Sequence, residues 1–349
     1  MSHASTRAEE TAPDAEVKQP DISRIPEEDV VLSGIIKRKQ RFYADTFPDL
    51  AFILLEGGES WSEDFADLTV LLGSEPVSLD YQHPPHLRED LMYVSLERIR
   101  MMLDSNTPSA SLIRTDEPMG TSEKLCIITI NPAAIAADDR IATRYLVEPY
   151  FEIHGKIKKE NLVDRKKFLE FVFDHEVYHC LESSFIGPQP MSHLEFWADY
   201  YDYRRENGAD AFAIAMHIKQ HQAVTDFVQQ MIRIRSLSLY CDDCNHWTPQ
   251  VILRLAKADP DSLISMDTMG LFRHASSLRD DIAPDYHDYL LYRSAAKEVC
   301  SILKSKLWNP DNDEFLPSPD PQRVNQMLEL LRNSYHELTG TEFTPDPTR

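Results

Sequence analysis

Residues 171–185 read FVFDHEVYHCLESSF, with His175 and His179 four apart and Glu176 directly after the first. Positions i and i+4 of an α-helix lie about 40° apart around the axis. Both imidazoles therefore leave one face and can take neighbouring corners of a zinc tetrahedron. Glu176 projects beside that face, where it can act on a water near the metal rather than on the metal itself. With 13 histidines in 349 residues, an H-E-x-x-H arises by chance at roughly the few-per-cent level, so the flanks matter. Val172 and Phe173 precede the motif, Val177 and Tyr178 fill it, and Cys180 and Leu181 follow, with no Pro or Gly. That pattern predicts a buried helix, and a metal polarises water strongly only in a dry site. Cys180 is expected to pack there as an apolar thiol.

Working outward, NLVDRKKFLEFVFDHEVYHCLE (161–182) keeps helical periodicity behind Asp164 as N-cap. Upstream, KLCIITINP (124–132) is apolar and β-branched and is stopped by Asn131-Pro132, which predicts a strand. Apolar clusters between Val30 and Leu72 suggest a mixture of strands and short helices, and 87–105 has helical spacing. After Ser192 helices are expected over 193–206, 209–221, 224–239, 249–257, 286–307 and 322–338, with 309–322 a loop. The fold class is α+β. Segment 1–28 is expected to be disordered, 29–208 to form an α+β domain carrying the metal site, 209–340 to be a helical part packed on the same unit, and 341–349 to be a tail.

A catalytic zinc wants three protein ligands and one open position. SHLEFWADYYDYRRENGADA (192–211) offers two acids, Glu195 and Glu206, each followed by Ala and Asp at the third and fourth positions. In either, the Glu can ligate, the Asp can take the free N–H of a liganding His, and the Ala lets two helices approach. Asn207-Gly208 reads as a helix stop, which would leave Glu206 in a last turn. Glu195 opens an uninterrupted helix, so Glu195 with Asp199 is favoured and Glu206 is the alternative. The separation of 15 residues between His179 and Glu195 is short.

H-E-x-x-H followed by E-x-x-A-D resembles the gluzincin branch of the zincin metallopeptidases, over roughly residues 124–250. The resemblance implies a zincin-like core with CIITINP as the edge strand on which a substrate is laid. It also implies His175, His179 and the E-x-x-A-D glutamate as zinc ligands and Glu176 as general base. A downstream histidine or tyrosine would steady the oxyanion; His246 is favoured over His274 and the Tyr286-His287 pair.

The net charge of −22 argues against a nucleic-acid partner, which leaves a basic footprint. No apolar run approaches a membrane span, and the N-terminus lacks the order of a secretory signal. Five scattered cysteines do not form a disulfide framework, so the expected compartment is the cytoplasm, with leaderless export the alternative. Cys241 and Cys244 form a lone C-x-x-C, more often two thiols than a second metal site. The expectation is a zinc metallopeptidase acting on a peptide or protein; the alternative is a catalytically inactive zincin-like binding module. No feature of the sequence sets an oligomeric state.

Overall fold

A computed structural model describes residues 27–56, 77–78, 108–119, 122–137, 140, 142–143, 146, 156–187, 194, 196–241, 244–282, 285–303 and 316–343. The fold is α+β. The segment expected to be disordered (through residue 26), the predicted helix at 87–105 and the tail beyond 343 lie outside the described residues. Over the described part of 30–72, a single long helix, α1 (Glu27–Thr46), rather than short helices, precedes a strand. Four strands follow: β1 (Ala51–Glu56), β2 (Val77–Ser78), β3 (Ser109–Met119) and β4 (Ser122–Ile130), in spatial order β1-β4-β3-β2. β1 pairs parallel to β4, while β3 pairs antiparallel to both β4 and β2.

This order corrects the expected edge strand. β4 carries 124–130, and it is enclosed by β1 on one side and β3 on the other. Its residues Leu125 to Ile130 are all buried, at 2 % exposure or less. A strand buried on both faces shows a continuous apolar run rather than alternation, and KLCIITI is such a run. Asn131 then ends the strand and starts α2 (Pro132–Ala137), its Oδ1 accepting from Ala134 N at 3.0 Å with Pro132 in the first turn.

Helix α3 (Arg165–Phe185) crosses the middle of the molecule. Its N-cap is Asp164, whose carboxylate accepts from the backbone N–H of Lys166 and Lys167 at 3.0 Å. Every residue from Phe171 to Ser183 is buried, as for a helix covered on all sides. α1 covers one flank: Lys39 Nζ lies 2.7 Å from the Asp174 carboxylate and Tyr43 Oη donates to it at 2.6 Å. Cys180 is not a free thiol, because it is disulfide-bonded to Cys126 of β4. The expectation of an unpaired apolar thiol is thereby corrected.

The helix beside it corrects a second expectation. α4 (Trp197–His221) runs unbroken through Asn207-Gly208. Asn207 is buried and donates its Nδ2–H to Tyr203 O at 2.8 Å. A Cβ on Gly208 would fall on the Tyr178 ring of α3, so the glycine permits a close helix approach rather than a stop. Among the described residues the remaining α-helices are α5 (Asp226–Ser236), α6 (Pro249–Lys257), α7 (Pro260–Ser265), α8 (Thr268–Ile282), α9 (Tyr286–Leu303) and α10 (Pro321–Thr339). α7 and α8 were not foreseen. α8 packs along α4, and its Ser276 Oγ lies 3.2 Å from Tyr178 Oη while Arg279 pairs with Glu182. One continuous core reaches from Leu32 in α1 to Leu338 in α10. Among the described residues no helix is long and apolar enough to cross a membrane.

Two predictions follow from this packing. A helix-interior Gly→Ala change ordinarily stabilises by about 1 kcal/mol. Gly208→Ala should instead destabilise by about 2 kcal/mol, as overpacking does, and lower metal uptake; a variant as stable as wild type in urea would contradict the close approach. The disulfide closes 54 residues, worth at most about 4 kcal/mol by loop entropy. Reduction or Cys126→Ala should lower the melting temperature, and an unchanged midpoint would mean that the bond constrains nothing.

Candidate metal centre

The continuity of α4 decides which acid meets the histidines. With no stop at 207–208, Glu206 and Asp210 lie one turn apart, either side of the point where α4 touches Tyr178. Glu206 Oε2 stands 3.1 Å from His175 Nε2, Glu206 Oε1 stands 3.6 Å from His179 Nε2, and the two imidazole Nε2 atoms are 3.3 Å apart. Tetrahedral zinc with bonds of about 2.0–2.1 Å spaces its donors by roughly 3.3–3.4 Å. The triangle is already zinc-sized, and it is the one such group found among the described residues.

The donors' chemistry points the same way. His175 Nδ1 lies 2.8 Å from Asp210 Oδ1. A carboxylate only accepts, so Nδ1 carries the proton and Nε2 presents a lone pair. That lone pair faces the Glu206 carboxylate and His179 Nε2. Acceptors this close need a proton or a cation between them. Two imidazoles and one carboxylate suit zinc and its first-row neighbours rather than calcium or magnesium.

Asp210 is the hub behind the site and is fully buried. Besides His175 it meets Arg235 of α5, with Nη2 2.8 Å from Oδ1 and Nε 2.7 Å from Oδ2, and it accepts from Thr248 Oγ1. Burial opposes ionisation, but Arg235 and His175 hold the carboxyl well below the usual carboxylate range. Glu206 behaves alike: against burial, His246, His175 and His179 together hold it well below that range. His175 is disfavoured as a cation by burial, yet Glu206 and Asp210 push it up to about 9. His179 has no such partner on Nδ1, and burial carries it well below the ordinary histidine value. Glu176 is buried, makes no hydrogen bond or ion pair among the described residues, and is raised by that burial to about 7.

His246 is also brought to the site, with Nε2 3.3 Å from Glu206 Oε2 and its side chain 40 % exposed. It sits in the loop 244–248 before α6, where its carbonyl accepts from Ser238 Oγ at 3.1 Å. Asp199 is not at the site: it is paired with Arg293 at 2.8 Å, near the start of α4. The role expected of it is filled geometrically by Asp210. Glu195, the favoured third ligand, lies outside the described residues, whereas Glu206 stands against both histidines. Tyr286 packs on Trp197 and Tyr200. Of the lone C-x-x-C, Cys244 is buried and carries no disulfide among the described residues. Arg235 and Thr248 were missed, although an arginine in the apolar register Met231, Ile232, Ile234 was a readable sign of a buried partner. No protein family, curated protein or solved structure matches the chain.

Metal analysis by mass spectrometry checks this geometry. His179→Ala and Glu206→Ala should lose bound zinc and Glu195→Ala should keep it; the reverse pattern for the two glutamates would discard the Glu206 site. Asp210→Asn should weaken zinc about 10–100-fold, as loss of a ligand's orienting partner does, and Asp199→Asn should leave it unchanged. Because a proton held on His175 up to about pH 9 competes with the metal, affinity should fall as pH drops from 9 to 6.

Proposed function

We propose that the protein is a zinc-dependent peptidase of gluzincin type. The observation that carries this is the zinc-sized convergence of His175, His179 and Glu206 with an uncommitted glutamate, Glu176, at its side. Zinc held by the three would supply Lewis-acid polarisation of a carbonyl and activation of water. The other steps belong to side chains. Glu176 takes a proton from the attacking water as its oxygen bonds to the scissile carbonyl carbon. It then delivers that proton to the departing amine nitrogen as the C–N bond breaks. His246, half exposed on the open side of Glu206, donates an N–H to the carbonyl oxygen as it gains charge. Arg235 and Asp210 fix the ring of His175 and so the direction of its lone pair.

An extended peptide cannot add to β4, which is paired on both sides. Strand β3 is the better platform. β2 covers it only at Ile113 and Arg114, so its outer edge at 109–112 has no partner strand among the described residues. β3 also packs directly against α3. A substrate strand there would lie beside the metal helix. Peptide hydrolysis rests on the resemblance of the motif; the geometry by itself supports metal-assisted hydrolysis.

Glu176→Gln is the decisive variant. It should retain zinc and cut a proteome-derived peptide mixture about 10²–10⁴-fold more slowly than wild type, read by mass spectrometry. Zinc-loaded wild type that cleaves nothing in that mixture would replace this proposal with a binding module. The same variant carries a stability signature. The folded state holds the Glu176 proton up to about pH 7, against 4.5 ordinarily, so the metal-free wild type loses stability as pH rises between those values. Gln cannot ionise. Metal-free Glu176→Gln should therefore melt higher than wild type at pH 8, by on the order of 1–3 kcal/mol, and the gap should close below pH 4.5. A gap independent of pH would mean that the carboxyl is not desolvated.

A further inference from the structure

A cavity of about 410 Å³ opens between α1, α3 and the end of α4. Its lining is mainly apolar: Ile35 and Met216 are buried in it, and Phe42, 43 % exposed, stands at its edge. On α1 the residues Val31, Ile35, Arg38 and Phe42 are spaced by four, three and four, so they share one helix face. Val31 is exposed as well. A single cation therefore interrupts an apolar stripe, and that cation is uncommitted. Arg38 enters no hydrogen bond or ion pair among the described residues. From α4, Lys219 gives two N–H groups to the carbonyls of Ile264 and Met266, both at 2.6 Å, and meets no carboxylate among the described residues. Lys39, the third cation of the lining, is matched by Asp174. Among the described residues the one acid of the lining, Glu170, accepts from Gln220 at 2.8 Å and faces His221 at 3.6 Å. Two unmatched cations thus border an apolar cavity, in a chain whose net charge is −22.

We propose that this cavity binds a free long-chain carboxylate, with the chain on Ile35, Met216 and Phe42 and the head on Arg38. The apolar lining requires an apolar body, because a polar one would lose its hydration there without partners. The unmatched charges require a negative head. A cationic amphiphile would find only Glu170, which is already paired, and a neutral chain would cover Arg38 without meeting its charge. A carboxylate fits the guanidinium fork with two parallel N–H bonds, and Lys219 adds attraction from α4. Concave, mostly apolar sites with a few placed polar groups are the usual form of a small-molecule pocket. Size agrees as well. A cavity of about 150 Å³ takes benzene, so one of about 410 Å³ has room for roughly 16 heavy atoms, and decanoate has about 12. The proposal does not depend on the peptidase reading, since none of the three candidate donors lines this cavity.

Calorimetric titration of the full chain with octanoate and decanoate at neutral pH tests it. 1-Octanol serves as the probe lacking the charge and acetate as the probe lacking the chain. Octanoate should saturate by about 10 mM, and decanoate should bind roughly tenfold more tightly through two further buried methylenes. 1-Octanol and acetate should each bind at least tenfold more weakly than octanoate. Arg38→Ala, at an exposed position, should cost octanoate tenfold or more while melting like wild type, and Arg38→Lys should recover part of that loss. His179→Ala should bind octanoate as wild type does, which separates this site from a carboxylate held at the metal and from any failure of the peptidase reading. No saturation by about 10 mM, 1-octanol binding as well as octanoate, or indifference to Arg38→Ala would overturn the proposal. So would attachment to phosphatidylglycerol vesicles without saturable binding of the free carboxylates, which would make this face a membrane contact instead.

Discussion

The contact between Gly208 and the Tyr178 ring sets the geometry of everything around it. Tyr178 lies inside the H-E-x-x-H turn and Gly208 lies between Glu206 and Asp210, so the closest approach of the two helices falls in the middle of the ligand set. A side chain at 208 would hold α4 away from α3, and donors now 3.1–3.6 Å apart would separate. The ring is itself held in place. Ser276 and Arg279 of α8 reach Tyr178 Oη at 3.2 and 3.4 Å, and Arg279 also pairs with the buried Glu182 one turn on. Helix α8 therefore acts on the candidate metal centre without touching it: it fixes the ring, the ring fixes the spacing, and the spacing fixes the His175, His179 and Glu206 side chains.

Close approach also concentrates charge in a place with little water. Three donors with lone pairs converge, and two of their neighbours, Glu176 and Asp210, are further carboxyls. The protein answers each differently. Asp210 receives Arg235, Thr248 and His175, which outweigh its burial. Glu176 receives no hydrogen bond or ion pair among the described residues, and its burial outweighs the nearby charges of His175, His246 and Arg205, so it holds its proton instead. The contrast fits the roles proposed for the two: a carboxylate that orients a ring must stay ionised and fixed, whereas one that shuttles protons must be free and poised near neutrality. The unpaired Glu176 lowers stability in a way that a purely structural core would avoid, which is where function and stability usually conflict.

What could be read in the sequence was what a single helix determines. His175, Glu176 and His179 belong together because 3.6 residues per turn brings them together, and the Asp164 cap and the buried run were readable for the same reason. The third acid depends on a contact between segments about 30 residues apart in sequence, and there local chemistry misled. Asn-Gly is a strong turn signal in isolation, but here Asn207 caps nothing and Gly208 is kept for the space it leaves. Asp199, expected behind the ligands, is paired with Arg293 instead, and Glu195 lies outside the described residues. The placement of 124–131 at a sheet edge came from the resemblance, although the unalternating run KLCIITI itself described a strand with both faces covered. The Cys126–Cys180 bond could not be seen either, since pairing is set by where β4 and α3 meet and not by spacing.

The division of the chain at residue 208 also looks different in three dimensions. His175, Glu176, His179 and Glu206 come from before it, and Asp210, Arg235, His246 and Thr248 come from after it. Neither half holds the site alone. Among the described residues the helical half contributes none of the three candidate donors, but it supplies the hydrogen bonds that fix His175, the His246 imidazole beside Glu206, and the ring contacts that set the helix spacing. Loop 244–248 does the most with the fewest residues: His246 reaches one acid, Thr248 the other, and Trp247 packs into the core against Tyr292. A shift of this loop would move both acids' partners together, so the surroundings of Glu206 and Asp210 are tied to a single short segment whose backbone is anchored by Ser238 and Tyr292.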